Sequence, residues 1–131
     1  MSPPERATQE ATMNPQDKTQ AIDLSTLMPQ EQRPLIGWLV VMNGPDEGRD
    51  FRLFTGSNRL GNASDCDIVI SAGFVSSTHC VIRHERGQTI IRDIDSRNGT
   101  HVNGRRVARA QLISNDELQL GQTRLWIKLM F

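Results

Sequence analysis

From Leu35 onward this chain is a succession of short apolar or alternating runs, each closed by turn-forming residues, and no segment sustains a helical period. That pattern constrains the fold more than any other feature. Side chains two apart share one face of a strand, whereas a helix needs a repeat near 3.6 residues. LIGWLVVM (35–42) reads as a buried strand, followed by the turn residues Asn43-Gly44-Pro45-Asp46-Glu47-Gly48. Arg49 to Leu53 alternates, and Asp67 to Ile70 is a short apolar strand. HCVIRH (79–84) and TIIRDI (89–94) form a pair joined by Glu85-Arg86-Gly87-Gln88, and Asn103-Gly104 is a two-residue hairpin signal. Glu117 to Leu120 alternates, and RLWIKLMF (124–131) is the last strand. Many short strands with turns between them predict an all-β sandwich over 35–131. Its expected core includes Trp38, Val40, Ile68, Ile70, Val81, Ile91, Leu118, Leu120 and Ile127.

Residues 1–34 have a different texture, rich in Pro, Gln, Thr and charge and without an aromatic residue. Such a segment buries too little apolar surface to offset its ordering entropy, so it is expected to be a disordered tail. The whole chain has 131 residues and a net charge of zero, from 15 basic and 15 acidic side chains. The tail holds five acids and three bases; the remainder holds ten acids and twelve bases, eleven of them arginine. Arginine's planar fork suits phosphate better than lysine's point charge. The small positive excess argues against a nucleic-acid binder. No apolar run approaches a membrane span, no signal peptide opens the chain, and the two cysteines, Cys66 and Cys80, form no CxxC pair. A cytoplasmic protein is the expectation.

Three elements recur at the strand junctions: Leu60-Gly61, then Ser76-x-x-His79, then Asp95-Ser96-Arg97-Asn98-Gly99-Thr100 followed by Asn103-Gly104. Together and in this order they closely resemble the forkhead-associated (FHA) domain. The resemblance covers roughly Leu35 to the C-terminus. It implies a sandwich of about eleven strands in two sheets that recognises phosphothreonine peptides and has no catalysis and no cofactor. By the same resemblance Ser76 and Ser77 contact the phosphate, Asn98 clamps the peptide main chain, and Phe74 selects the residue three after the phosphothreonine. Gly61, His79, Asp95 and Gly99 are then structural, with His79 bracing the loops. A metal reading of His79, Cys66, Cys80 and His84 lacks the spacing of a zinc site.

The chain departs from the family at the phosphate ligands. The usual pattern has arginine directly after the glycine, where this chain has Asn62, and often arginine, lysine or asparagine where it has Ser77. A charge-assisted hydrogen bond contributes roughly 1.5–3 kcal/mol, so one lost arginine weakens binding about tenfold or more. Arg97, beside Asn98, and Arg59, three residues before Asn62, are the candidate replacements, and Arg97 is favoured because its loop already lines the site.

In the tail, Thr19 is the one threonine with a branched aliphatic residue, Ile22, at +3. Some bacterial FHA regulators carry such a threonine as a Ser/Thr-kinase substrate, and the phosphorylated tail then occupies their own site. Sixteen steps separate Thr19 from Leu35, a flexible span near 22 Å and an effective concentration on the order of millimolar. Two readings stand: a phosphothreonine-binding module regulated by its own tail, or a phospho-independent scaffold whose site has lost phosphate recognition. The partners expected are a phosphothreonine protein or the tail itself, and a Ser/Thr kinase.

Overall fold

The computed structural model describes residues 28–29 and 32–131. The rest of the expected tail, Thr19 included, lies outside the described residues. Eleven strands form two sheets, and the described residues contain no α-helix. The first sheet runs β2-β1-β11-β10-β7-β8 and the second β4-β3-β5-β6-β9. In chain order the strands are β1 (Leu35–Val41), β2 (Asp50–Phe54), β3 (Gly56–Gly61), β4 (Ile68–Val69), β5 (Cys80–Glu85), β6 (Gln88–Asp93), β7 (Thr100–Val102), β8 (Arg105–Arg106), β9 (Arg109–Leu112), β10 (Glu117–Leu120) and β11 (Thr123–Leu129). All pairings are antiparallel except β3 with β4.

The turn chemistry explains the tight connections. Arg86 and Gly87 join β5 to β6 at φ +54 and +76, and Asn103 and Gly104 join β7 to β8 at φ +51 and +85. Both central residues are left-handed, as the twist of a two-residue hairpin requires. The core lies between the sheets. Leu39, Leu118, Leu125 and Ile127 of the first sheet face Leu60, Ile82 and Ile91 of the second, all fully buried.

Six of the nine expected core residues are buried, namely Ile68, Ile70, Ile91, Leu118, Leu120 and Ile127. Trp38, Val40 and Val81 are corrections: each is only half-buried, and Leu39, Val41, Cys80 and Ile82 take the interior positions. In a run such as LIGWLVV both faces are apolar, so alternation alone leaves the inward parity open. A register shift between Leu35 and Gly37 adds to the ambiguity. Outside, Val40 pairs with Trp126, which lies under Lys128 Nζ at 5.2 Å from the ring centroid. Strands β3 and β9 escape sequence reading because their visible faces are polar. In β3 the fully buried Asn58 accepts from the Phe54 N–H and donates to the Phe54 and Ile82 carbonyls. Arg33, placed in the expected tail, is buried and donates to the carbonyls of Thr55 and Ser57. The sandwich therefore engages the chain before Leu35.

Candidate functional site

Three connections meet at one end of the sandwich: β3–β4 (62–67), β4–β5 (70–79) and β6–β7 (94–99). They enclose an open cleft of about 600 Å³ lined by Asn62, Phe74, Val75, Ser76, Ser77, Arg97 and Asn98. The arrangement begins with backbone contacts. The Asn62 and Ala63 N–H groups donate to the Ser76 and Ser77 carbonyls, and Cys66 Sγ reaches the Ser77 carbonyl at 3.1 Å. A Cβ at Gly61 would lie 2.1 Å from that same oxygen. Glycine at 61 is thus what lets the β4–β5 loop lie against the end of β3.

His79 ties the two loops that carry the polar groups. Its Nδ1 accepts the Ser76 N–H at 3.1 Å, so Nε2 carries the proton and donates to the Gly99 carbonyl at 2.9 Å. Burial holds its pKa below the ordinary value, although the Gly99 bond and the charge of Asp93 pull the other way. Neutral His79 is the form that fits both partners. Across the cleft the Arg97 N–H donates to Ser76 Oγ at 3.1 Å, and Asn98 Nδ2 donates to the Phe74 carbonyl at 3.1 Å. Among the described residues the Ser76 hydroxyl proton and the Oδ1 and second N–H of Asn98 have no further partner.

The carboxylate that braces the β6–β7 loop is Asp93, not Asp95. Asp93 accepts from the Ser96 N–H and hydroxyl and, at 2.7 Å, from the Thr100 hydroxyl. Burial alone would raise its pKa, but the hydroxyl and N–H bonds from Ser96 and Thr100, with the charge of His79, hold it low. Asp95 is exposed and contributes a left-handed backbone at φ +51. The sequence does not single out Asp93 because it lies within the expected strand 89–94, where a carboxylate looks like an outward-facing residue. Gly99 has φ +88, and Ser96 Oγ accepts its N–H at 3.0 Å.

The two candidate cations separate clearly. The Arg97 side chain is exposed at the cleft and has no ion-pair partner among the described residues. Arg59 does not line the cleft: its guanidinium meets the Asp65 carboxylate at 3.2 Å and the Asp65 carbonyl. Although burial opposes it, the Asp65 bond and charge raise its pKa further. Phe74 is 58% exposed and sits at φ +69, an uncommon backbone for an aromatic residue. Among the described residues no group of three or more His, Cys, Asp or Glu side chains is placed to hold a metal. Burial pushes the Cys80 thiol well above its ordinary pKa.

The family description "FHA domain" matches residues 58–121, the segment that builds this cleft and its supports. The chain belongs to the FHA-domain family. Its FHA sandwich superposes on one analysed for phosphothreonine-dependent FHA interactions, with a TM-score of 0.68, 29% identity and coverage of 73% of this chain and 98% of the other. The FhaA FHA domain complexed with the intracellular domain of Rv3910 gives 0.65 and 30%, covering 70% and 99%. Among curated proteins, the glycogen accumulation regulator GarA of Mycolicibacterium smegmatis is 39% identical over 87 residues, which is 66% of this chain and 55% of that protein. The oxoglutarate dehydrogenase inhibitor of Corynebacterium diphtheriae is 36% identical over 89 residues, 68% and 62%. The chain therefore spans little more than half the length of the curated relatives it matches. No helix among the described residues is long and apolar enough to cross a membrane.

Proposed function

We propose that this FHA domain is a non-catalytic phosphothreonine-peptide receptor in Ser/Thr-kinase signalling in the cytoplasm. The observation that carries the reading is the convergence on one open cleft of Ser76, Ser77, Asn98 and Arg97, which has no ion-pair partner among the described residues. A dianionic phosphate needs neutral and cationic donors from several directions. The hydroxyls of Ser76 and Ser77 supply the neutral donors, and Arg97 supplies the charge that Asn62 cannot. Asn98 holds the peptide main chain, and exposed Phe74 offers an apolar surface to the +3 residue. Relatives named as regulators and inhibitors are consistent with a role exerted by binding. Calorimetry with a threonine peptide in phosphorylated and unphosphorylated forms tests the reading, which requires that only the phosphorylated form binds.

The tail deepens this reading. Phosphorylated Thr19, with Ile22 toward Phe74, would occupy the cleft in cis and exclude external ligands. A phospho-independent scaffold is the second reading. It is favoured by Asn62 and Ser77 and by Trp126, 43% exposed on the outer face of the first sheet.

A further inference from the structure

The chain has no net charge, yet residues 92–109 hold five arginines (Arg92, Arg97, Arg105, Arg106 and Arg109) against two acids, Asp93 and Asp95, a local excess of three. All five arginines are exposed, and none has an ion-pair partner among the described residues. Their placement is fixed by the fold. The β6–β7 loop leaves at Asp93 and returns at Thr100. Both ends bond to the segment joining β8 to β9: Asp93 N–H donates to the Ala108 carbonyl, and Val107 N–H donates to the Thr100 carbonyl. The Arg105-Arg106-Val107-Ala108-Arg109 stretch therefore runs along the base of the loop that presents Arg97 and Asn98. Arg106 lies against Gly99, where an added Cβ would come within 2.8 Å of its Nε. Arg92 and Arg109 are direct cross-strand partners.

Stability does not account for this grouping. Like charges directly opposite in a sheet are destabilising. Asp93 is consumed by Ser96 and Thr100. Of the seven described arginines elsewhere, Arg49, Arg59, Arg83 and Arg124 have an acid beside them, and Arg33, Arg52 and Arg86, which have no such ion pair among the described residues, are scattered rather than grouped along one segment. We infer that the arginines of the β8–β9 segment, with Arg92, form a second, anionic subsite contiguous with the phosphothreonine cleft. Its occupant is an acidic stretch, of Asp, Glu or a second phosphorylated residue, in the same peptide that carries the phosphothreonine. The inference rests on the proposed peptide-binding role of the cleft. An exposed arginine row of this kind raises the association rate and adds a salt-dependent increment of affinity.

Four peptides test it on the unphosphorylated 131-residue chain at low and moderate salt. One has phosphothreonine among neutral residues; two carry three added acids before or after the phosphothreonine; the last is an acidic peptide with plain threonine. An acidic flank on one side is expected to tighten binding about tenfold at low salt, with the gain shrinking as salt rises. The double variant Arg105→Glu/Arg109→Glu should abolish that gain and leave the neutral phosphopeptide unchanged, since neither residue lines the cleft. The charge-neutral pair Arg105→Gln/Arg109→Gln should lose it partly. Equal affinity for neutral and acidic phosphopeptides, or a gain that survives charge reversal, overturns the subsite while leaving the cleft intact. Binding of the acidic peptide with plain threonine as tightly as its phosphorylated form overturns the cleft reading instead. If no phosphopeptide binds, both fall.

Discussion

His79→Ala isolates the contact on which the shape of the site depends. The imidazole is fully buried and holds Ser76 N–H on one side and the Gly99 carbonyl on the other. Its removal deletes two hydrogen bonds, leaves the Ser76 N–H without its partner and the Gly99 carbonyl with only the longer Gly121 N–H bond at 3.4 Å, and opens a cavity the size of the ring. Unsatisfied buried groups cost about 1–3 kcal/mol each, and truncation of a large buried side chain adds a cavity penalty of similar size. A loss of about 3–5 kcal/mol follows, a large share of the roughly 5–15 kcal/mol that stabilises a domain. Protonation applies the same perturbation reversibly, because Nδ1–H would then oppose Ser76 N–H. The folded-state pKa lies below the unfolded one. The contribution of His79 is therefore complete above about pH 6.5 and is lost as pH falls through the folded value. His84, lowered by burial, acts in the same direction. Urea titrations of wild type and His79→Ala at pH 7.5 and 5.5 measure both effects. Wild type should weaken on acidification by at most about 1.4 kcal/mol per pH unit for each histidine, and the variant should lose part of that slope. A variant within about 0.5 kcal/mol of wild type at pH 7.5 would refute the bracing role.

Other consequences are as direct. Gly61→Ala drives a methyl to 2.1 Å from the Ser77 carbonyl, so it should destabilise by about 1–3 kcal/mol and also weaken phosphopeptide binding; denaturant melts and calorimetry read the two effects. Asn98→Ala should lower phosphopeptide affinity by about 1–3 kcal/mol with a near-normal melting temperature, because its amide is exposed and among the described residues bonds only the Phe74 carbonyl. Arg97→Ala should weaken phosphopeptide binding about ten- to a hundredfold and leave Arg59→Ala as the harmless comparison, measured by the same titration. Phosphorylation of Thr19 should shift amide NMR signals from the loops at Ser76 and Asn98, and unmoved signals would exclude the tail as ligand.

The class of fold is legible because its signals are local: two left-handed hairpin turns, alternating runs and an absent helical period. The cleft is legible in part because Ser76, Arg97 and Asn98 lie in loops whose residues are not needed for packing. Parity failed where both faces of a strand are apolar, as at Trp38, Val40 and Val81, since the choice between faces is made by the opposing sheet. The exchange of Asp95 for Asp93 has the same origin: which carboxylate turns inward depends on Ser96 and Thr100 closing around it. Arg59 looked available until Asp65, brought back by the β3–β4 turn, paired with it. The role of Arg106 beside Gly99 depends on β8 folding back beside β7, a contact that no spacing in the sequence expresses.

The central claim is that the cleft reads phosphothreonine without the arginine expected at Asn62. Calorimetric titration of the 131-residue chain with a Thr19-centred tail peptide, phosphorylated and not, tests it most directly. Saturable one-to-one binding of the phosphopeptide, no heat with the unphosphorylated peptide, and a marked loss in Arg97→Ala are the predicted results. Equal binding of both peptides, or of neither, would contradict the claim and favour a phospho-independent contact elsewhere on the sandwich.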